Sequence, residues 1–429
     1  MWVGKNAEKH DVGGSARKHK ALSLLGRRLH KPKSILELLS GLVCFIMIAM
    51  HFSNSAQTDE AQTKMAQPTV AQPTVAQPTV AQHFVAHPAV APAVTHPSQA
   101  ADRGVRIAVV IPCFRVKAHI GDVIAAIGED VGAIYVIDDA CPEHSGAWVK
   151  ANLGDARIRV IEHPTNQGVG GAVISGYRAA LADGFEIVVK IDGDGQMHPV
   201  DLPRLVRPIL LGQADYCKGN RFFHPEDLAQ MPLVRLLGNG GLSLLSKLSS
   251  GYWQIFDPTN GYTAIHGAVL ANLPLHKISK RYFFESDMLF RLGLMRAMVI
   301  DVPMKARYGN EISQLRAWKV APEFAAKHLR NFIKRIVYQY YLRDMSIASL
   351  ELPLGLLLSA FGLIFGSMQW MRSVTAETTA SAGTVMLAAL PLMLGIQFLL
   401  NALAFDMAAQ PREALHPLLE RSGQTTSHE

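Results

Sequence analysis

Between residues 105 and 191 short apolar runs alternate with helix-length segments, and this alternation limits the chain to a parallel-sheet architecture. "VRIAVVIP", "AIYVID", "RIRVIEH" and "EIVVKID" are β-branched and four to eight residues long. The stretches near residues 119–128, 145–152 and 169–182 read as helices between them. Strand, helix, strand repetition of this kind makes βαβ units and a mainly parallel sheet with helices on both faces. The fourth run delivers two carboxylates, Asp192 and Asp194, separated by one glycine and followed by Gln196 and a His-Pro stop. The strand-ending position puts them on the carboxyl edge of the sheet, where ligands bind in open α/β folds. Two acidic groups crowded there repel unless a cation or protons offset them, so a divalent metal is the first hypothesis. "IYVIDDAC" ends a second strand in Asp138 and Asp139. An acidic pair of this kind either caps the following turn or joins the first pair around one ligand.

Outside that region the chain changes character. Residues 352–370 and 382–405 contain no charged side chain, and each run is long enough to cross a hydrocarbon layer of about 30 Å. They read as a transmembrane hairpin. Lys327, Arg330, Lys334, Arg335 and Arg343 precede it, which puts that side in the cytoplasm by the positive-inside rule. In the same segment Leu329, Phe332, Ile333, Ile336, Val337 and Tyr340 recur at helical spacing, giving either a basic amphipathic helix suited to a bilayer surface or an ordinary packed helix. Residues 35–52 form a third apolar run. As a signal anchor with its basic flank inside, that run would place the rest of the chain outside. The hairpin carries its own basic flank and is preferred; the earlier run is then interfacial, or the start lies downstream, for example at Met65. Residues 66–100 hold a decaying "AQPTV" repeat, an extended linker whose prolines deny it helix or sheet pairing.

Charge and cysteine content exclude two classes. The net charge of +7 resides in residues 1–34, and the remainder holds 33 basic and 33 acidic residues, so nucleic-acid binding has no support. Cys44, Cys113, Cys141 and Cys217 are widely spaced, without the pattern of a zinc site or a disulfide framework. The expected organisation is a basic tail and linker over residues 1–103, an α/β domain over 104–320, an amphipathic helix over 321–346, two spans over 347–405 and a polar tail over 406–429.

In order along the chain, "PCF", "VIDDA", "NQGVGGA", "DGDGQ", "KGNRF", "DPTNGYTAI" and "FFESDMLFRL" resemble the stations of family 2 glycosyltransferases, closest to the dolichyl- or polyprenyl-phosphate hexosyltransferase branch. The resemblance covers residues 105–315. It implies a GT-A fold, Rossmann-like, with a nucleotide-diphosphate sugar as donor, a polyprenyl phosphate as acceptor and Mg²⁺ or Mn²⁺ as cofactor. It further implies that Pro112, Asp138, Asp139 and Asn166 lie with the donor and that Asp192, Asp194 and Gln196 hold the metal. Arg307 is then the donor-phosphate partner, Arg221 and Arg235 grip the acceptor phosphate, and Glu285 is the acidic station that acts as general base when the acceptor is a hydroxyl. An already ionised phosphate has no need of such a base. Family members often carry Asn-Glu after the first strand where this chain has Arg115-Val116, so the donor base, GDP or UDP, is not set by the motif. The expected location is the inner (plasma) membrane, multi-pass, with a cytosolic catalytic domain. The rival readings are a family 2 enzyme acting on a glycan or lipid hydroxyl, a nucleotidyltransferase on a similar sheet, and an inactive membrane scaffold.

Overall fold

A computed structural model describes residues 104–223, 233–305 and 317–425 of the 429. The expectations for residues 1–103, including the apolar run 35–52 and the repeat, lie outside these residues, as does Arg307.

The apolar runs form strands: β1 Ile107–Cys113, β2 Val131–Asp138, β3 Ile158–Glu162 and β4 Ile187–Lys190. Helices α1 Ile120–Ala125, α2 Ser145–Asn152 and α3 Val169–Ala182 connect them. The chain continues through α4 Leu202–Leu210, β5 Tyr216–Asn220, α5 Leu233–Ser250, β6 Thr263–His266, α6 Gly267–Asn272, α7 Phe284–Met295 and β7 Val299–Pro303. The seven strands lie in the order β3-β2-β1-β4-β6-β5-β7. β6 runs antiparallel to β4 and β5, and the other pairings are parallel. This is a GT-A-like α/β sheet.

Side-chain alternation along β1 divides the core between the two faces. Ala108 and Val110 pack with Val173 and Tyr177 of α3 and Met288 of α7, while Val109 and Ile111 pack with Ile120 of α1 and Leu205 of α4. The strand order reverses beside β1, between β2 and β4. The connection leaving β1 runs toward β2 and the one leaving β4 runs toward β5, so the two part there and leave a crevice at the carboxyl edge. Pairing of β1 with β4 stops at Val110, so the missing N–H of Pro112 removes no ladder bond on that side.

The C-terminal third departs from expectation in two places. Helix α8, Ala317–Val337, continues as a π-helical turn over Tyr338–Arg343. The stripe it turns to the protein is polar, with His328, Asn331 and Arg335 buried, whereas Ile333, Val337 and Tyr338 are exposed. Arg335 therefore does not belong to the exposed basic flank, because it is buried in an ion pair with Asp406 at 2.6 Å. Two long helices follow, α9 Ile347–Thr375 and α10 Ala382–Ala408, both long and apolar enough to cross a membrane. They pack on each other where Gly362 meets the backbone of Ala388. The expected polar tail is in part folded: α11, His416–Thr425, docks on the α/β domain. The backbone N–H groups of Leu415 and His416 donate to buried Asp215, and the ring of His416 stacks on His266 at 4.1 Å. One buried carboxylate supplies the acceptor that anchors the helix start.

Candidate active site

Three strand ends meet at the crevice. β1 ends in Pro112 and Cys113, β2 ends in Asp138 with Asp139 next to it, and Asp192 follows β4. Cys113 lies between the two acidic stations. Burial raises its thiol pKa, and the charges of Asp138, Cys141 and Asp192 add to the effect.

The β2 carboxylates are committed within the fold. Asp138 accepts from the backbone N–H of Cys141 and of Gly146, each at 2.7 Å, so it caps the turn and the entrance of α2. Asp139 accepts from the N–H groups of Gln167 and Gly168 at 2.8 Å, and its Oδ1 lies 2.8 Å from His163 Nδ1. Asn166 donates its side-chain amide to the Asp139 carbonyl. The loop "HPTNQGVGG" is thus fastened to Asp139. Its glycines serve close packing rather than a phosphate cradle. Gly168 has φ +86°, and a Cβ there would sit 2.6 Å from the carbonyl oxygen of Lys280. The expected donor residues Pro112, Asp138, Asp139 and Asn166 come together at the neighbouring ends of β1 and β2.

At the β4 station the structure adds a residue that the sequence reading left without a role. Lys190, the last residue of a fully buried strand, has its Nζ 2.8 Å from Asp192 Oδ1 and 3.2 Å from Glu285 Oε1. Burial works against its charge, but Asp192 and Glu285 outweigh that, and the ammonium is held above its ordinary pKa. Glu285 comes from the first turn of α7, so the ammonium joins the β4 station to the expected acidic station. The tight "DPTNGY" turn makes the space: a Cβ on Gly261 would fall 2.2 Å from Lys190 Nζ and 2.5 Å from Asp192 Oδ2. The sequence signal for this lysine is its place in "EIVVKID", a charge inside an otherwise apolar strand.

Asp194 accepts from the N–H of Gln196 at 3.0 Å, closing the turn that carries both, and Gln196 is exposed. The contact between Asp192 Oδ1 and Lys190 is an ion contact without hydrogen-bond directionality, so this buried oxygen keeps acceptor capacity. Among the described residues no three His, Cys, Asp or Glu side chains converge as a closed metal cage. Two carboxylates and an amide oxygen match a hard divalent ion that completes its shell with water and substrate phosphate. The donor set therefore fits the expected cofactor.

On the far side of β6, Arg221 directs Nε and Nη2 at the two oxygens of buried Asp257, at 2.8 and 3.1 Å. The guanidinium is oriented by this fork rather than mobile. Lys218 lies buried close by and donates to the Asn260 carbonyl; burial lowers its pKa to about 8, against the pull of Asp257. Asp301, its register partner on β7, is pushed up to about 6 by burial. Asp287 does not join Glu285: it is buried and accepts from Ser279 N and Asn331 Nδ2. Arg235 lies on α5, with its side chain outside the described part.

The sequence model of glycosyl transferase family 2 matches residues 108–273, from β1 through α6. An undecaprenyl-phosphate mannosyltransferase of Micrococcus luteus is 32% identical over 173 residues, which are 40% of this chain and 70% of that protein. The chain belongs to glycosyl transferase family 2. This family 2 glycosyltransferase is also 34% identical over 164 residues to a UDP-N-acetylglucosamine–dolichyl-phosphate N-acetylglucosaminyltransferase of Methanococcus voltae, covering 38% of this chain and 64% of the relative. Among solved structures it is similar to glucosyl-3-phosphoglycerate synthase from Mycobacterium tuberculosis, at 23% identity and a TM-score of 0.41, over 54% of this chain and 80% of the other.

Proposed function

We propose that this glycosyltransferase moves a hexose from a nucleotide-diphosphate sugar to a polyprenyl phosphate at the cytosolic face of the inner (plasma) membrane. The observation that carries the reading is the Asp192–Lys190–Glu285 constellation at the strand switch point, in a chain similar to a dolichyl-phosphate and an undecaprenyl-phosphate glycosyltransferase. Pro112, Asp138, Asp139 and Asn166 shape the donor side, their carboxylates fixing the loops that surround the nucleoside. Arg307, outside the described residues, is assigned to the donor diphosphate on the family resemblance alone. Mg²⁺ or Mn²⁺, held by Asp192, Asp194 and Gln196, supplies charge neutralisation for the leaving diphosphate when bound. Arg221, oriented by Asp257, and Arg235 hold the acceptor phosphate. An acceptor phosphate oxygen forms the bond to C1 as the bond from C1 to the diphosphate oxygen breaks, with inversion, and the nucleoside diphosphate leaves. No proton has to be removed. The position of Glu285 beside an ammonium suits a residue that fixes Lys190 and Asp192 better than one that collects a proton.

Support for membrane insertion comes from α9 and α10, whose Leu357, Ile364 and Met393 are more than 60% exposed and suit an apolar surrounding. The basic residues ahead of α9 favour the cytosolic orientation of the α/β domain.

Membranes containing the full chain, supplied with polyprenyl phosphate and a panel of labelled nucleotide-diphosphate sugars, should transfer label from one donor into the organic phase. Chelation of divalent ions should abolish transfer, and Mg²⁺ or Mn²⁺ should restore it. Label confined to water-soluble products, or transfer unaffected by chelator, would remove the corresponding half of the reading.

A further inference from the structure

A groove of about 840 Å³ runs between α7 and α8, apart from the site just described. Glu285 and Asp287 lie two residues apart on α7 and so point to different sides of the helix; Glu285 meets Lys190, and Asp287 lines the groove. Five cationic side chains border it: Lys277, Arg291, Lys327, Arg330 and Lys334. The only acid in the lining is Asp287, already bonded by Ser279, Asn331 and Arg291. Lys327 is paired with Glu323, whereas Lys277, Arg330 and Lys334 are exposed. Ser279, Asn331 and Tyr338 add polar groups to the lining, and the apolar Leu294, Ile333, Val337 and Leu342 continue it toward the start of α9. There the exposed Met345, Ile347 and Leu350 carry the apolar surface on to the first long helix.

Positive charge around a groove whose apolar lining leads to a membrane-length helix matches one amphiphile. We propose that the groove holds an anionic phospholipid of the surrounding bilayer, its phosphate among Lys277, Arg330 and Lys334 and an acyl chain along Ile333, Val337 and Leu342. The inference rests on the membrane reading above. It adds a lipid that is not consumed: the groove lies on the side of α7 away from Lys190 and Asp192, so its occupant is out of line with the transfer. Bound there, the lipid ties α7, and with it Glu285, to the level of the headgroups.

The test is native mass spectrometry of the full chain in mild detergent, titrated with phosphatidylglycerol, phosphatidylcholine or polyprenyl phosphate. The wild type should retain phosphatidylglycerol in preference to phosphatidylcholine. Arg330→Gln with Lys334→Gln should weaken that retention roughly tenfold or more, since each surface cation contributes to anionic-lipid attraction. Transfer by the same variant in pure phosphatidylcholine vesicles should equal that of the wild type. Equal phosphatidylglycerol retention by both proteins, or its displacement from the wild type by polyprenyl phosphate, overturns the proposal. Carbonate-resistant retention in phosphatidylcholine vesicles is scored separately: a chain that fails it removes the membrane reading and the inference with it, whereas a chain that passes without lipid preference removes the inference alone.

Discussion

Lys190 carries more of the candidate site than any other single side chain. It is fully buried, and its ammonium stands between Asp192, next to the end of its own strand, and Glu285, 95 residues from Lys190 in sequence. Lys190→Met should leave Asp192 and Glu285 facing each other without their counter-charge. Asp192 keeps 28% exposure, so the expected destabilisation is about 1–3 kcal/mol, below the range for breaking a wholly buried pair. Metal-dependent binding of the nucleotide sugar should weaken at the same time, because Asp192 loses the contact that fixes it. Adding Glu285→Gln should return part of the stability, since the orphaned charge is then removed. Thermal unfolding and donor titration in Mg²⁺ read both effects; a Lys190→Met variant with unchanged melting and donor affinity would show that the ion pair positions nothing. This lysine is visible in the sequence as a charge inside "EIVVK", but its role is not. Neither partner is encoded by local periodicity, and only the return of α7 to the end of β4 brings Glu285 to it.

At the scale of elements, the seam between α3 and the segment leading into α7 decides where Glu285 stands. A Cβ on Gly170 would fall 2.5 Å from the carbonyl oxygen of Ser279 and within 3 Å of the Phe284 side chain. Gly170→Ala must therefore displace α7 at its first turn, next to Glu285. The expected cost is about 1–3 kcal/mol, the usual range for overpacking, together with lower transfer activity. Gly128→Ala is the matching control, because a Cβ there meets nothing within 4 Å. Melting temperature and initial rate of the two variants check this; equal behaviour would place the seam outside the determinants of the site. The elements themselves are largely legible from the sequence. β1 to β4 and the helices between them follow from the alternation of apolar runs, and α2 and α3 have the expected bounds. The antiparallel insertion of β6 beside β4 is not legible, since a four-residue run such as "TAIH" carries no directional signal. The inward stripe of α8 is also hidden: His328, Asn331 and Arg335 are buried because Ser249, Asp287 and Asp406 receive them, and hydropathy ranks such residues as solvated.

For the whole molecule, the long helices are joined to the α/β domain by a buried polar knot. Asp406, near the end of α10, accepts from Arg335 of α8, from Tyr340 in the π-helical turn and from Trp253 Nε1 at 2.8 Å. Burying this ion pair is costly unless every remaining group is satisfied, and Arg335 meets that condition by also donating to the carbonyl of Leu248. Beyond the knot α11 returns to Asp215, so both ends of the helical pair are tied to the same domain. This arrangement holds the candidate site at a fixed distance from the surface the long helices would enter, which suits an acceptor whose reactive phosphate lies at the headgroup level. The central claim is that the acceptor is a lipid phosphate rather than a lipid hydroxyl. The most direct measurement is the rate of hexose transfer by the purified full chain to a polyprenyl phosphate and to the same polyprenol without its phosphate, each in phosphatidylcholine vesicles with saturating donor and Mg²⁺. The account predicts product from the phosphate alone, with activity reduced by Arg221→Ala and retained in large part by Glu285→Gln. Comparable or faster transfer to the free alcohol, abolished by Glu285→Gln, would contradict it.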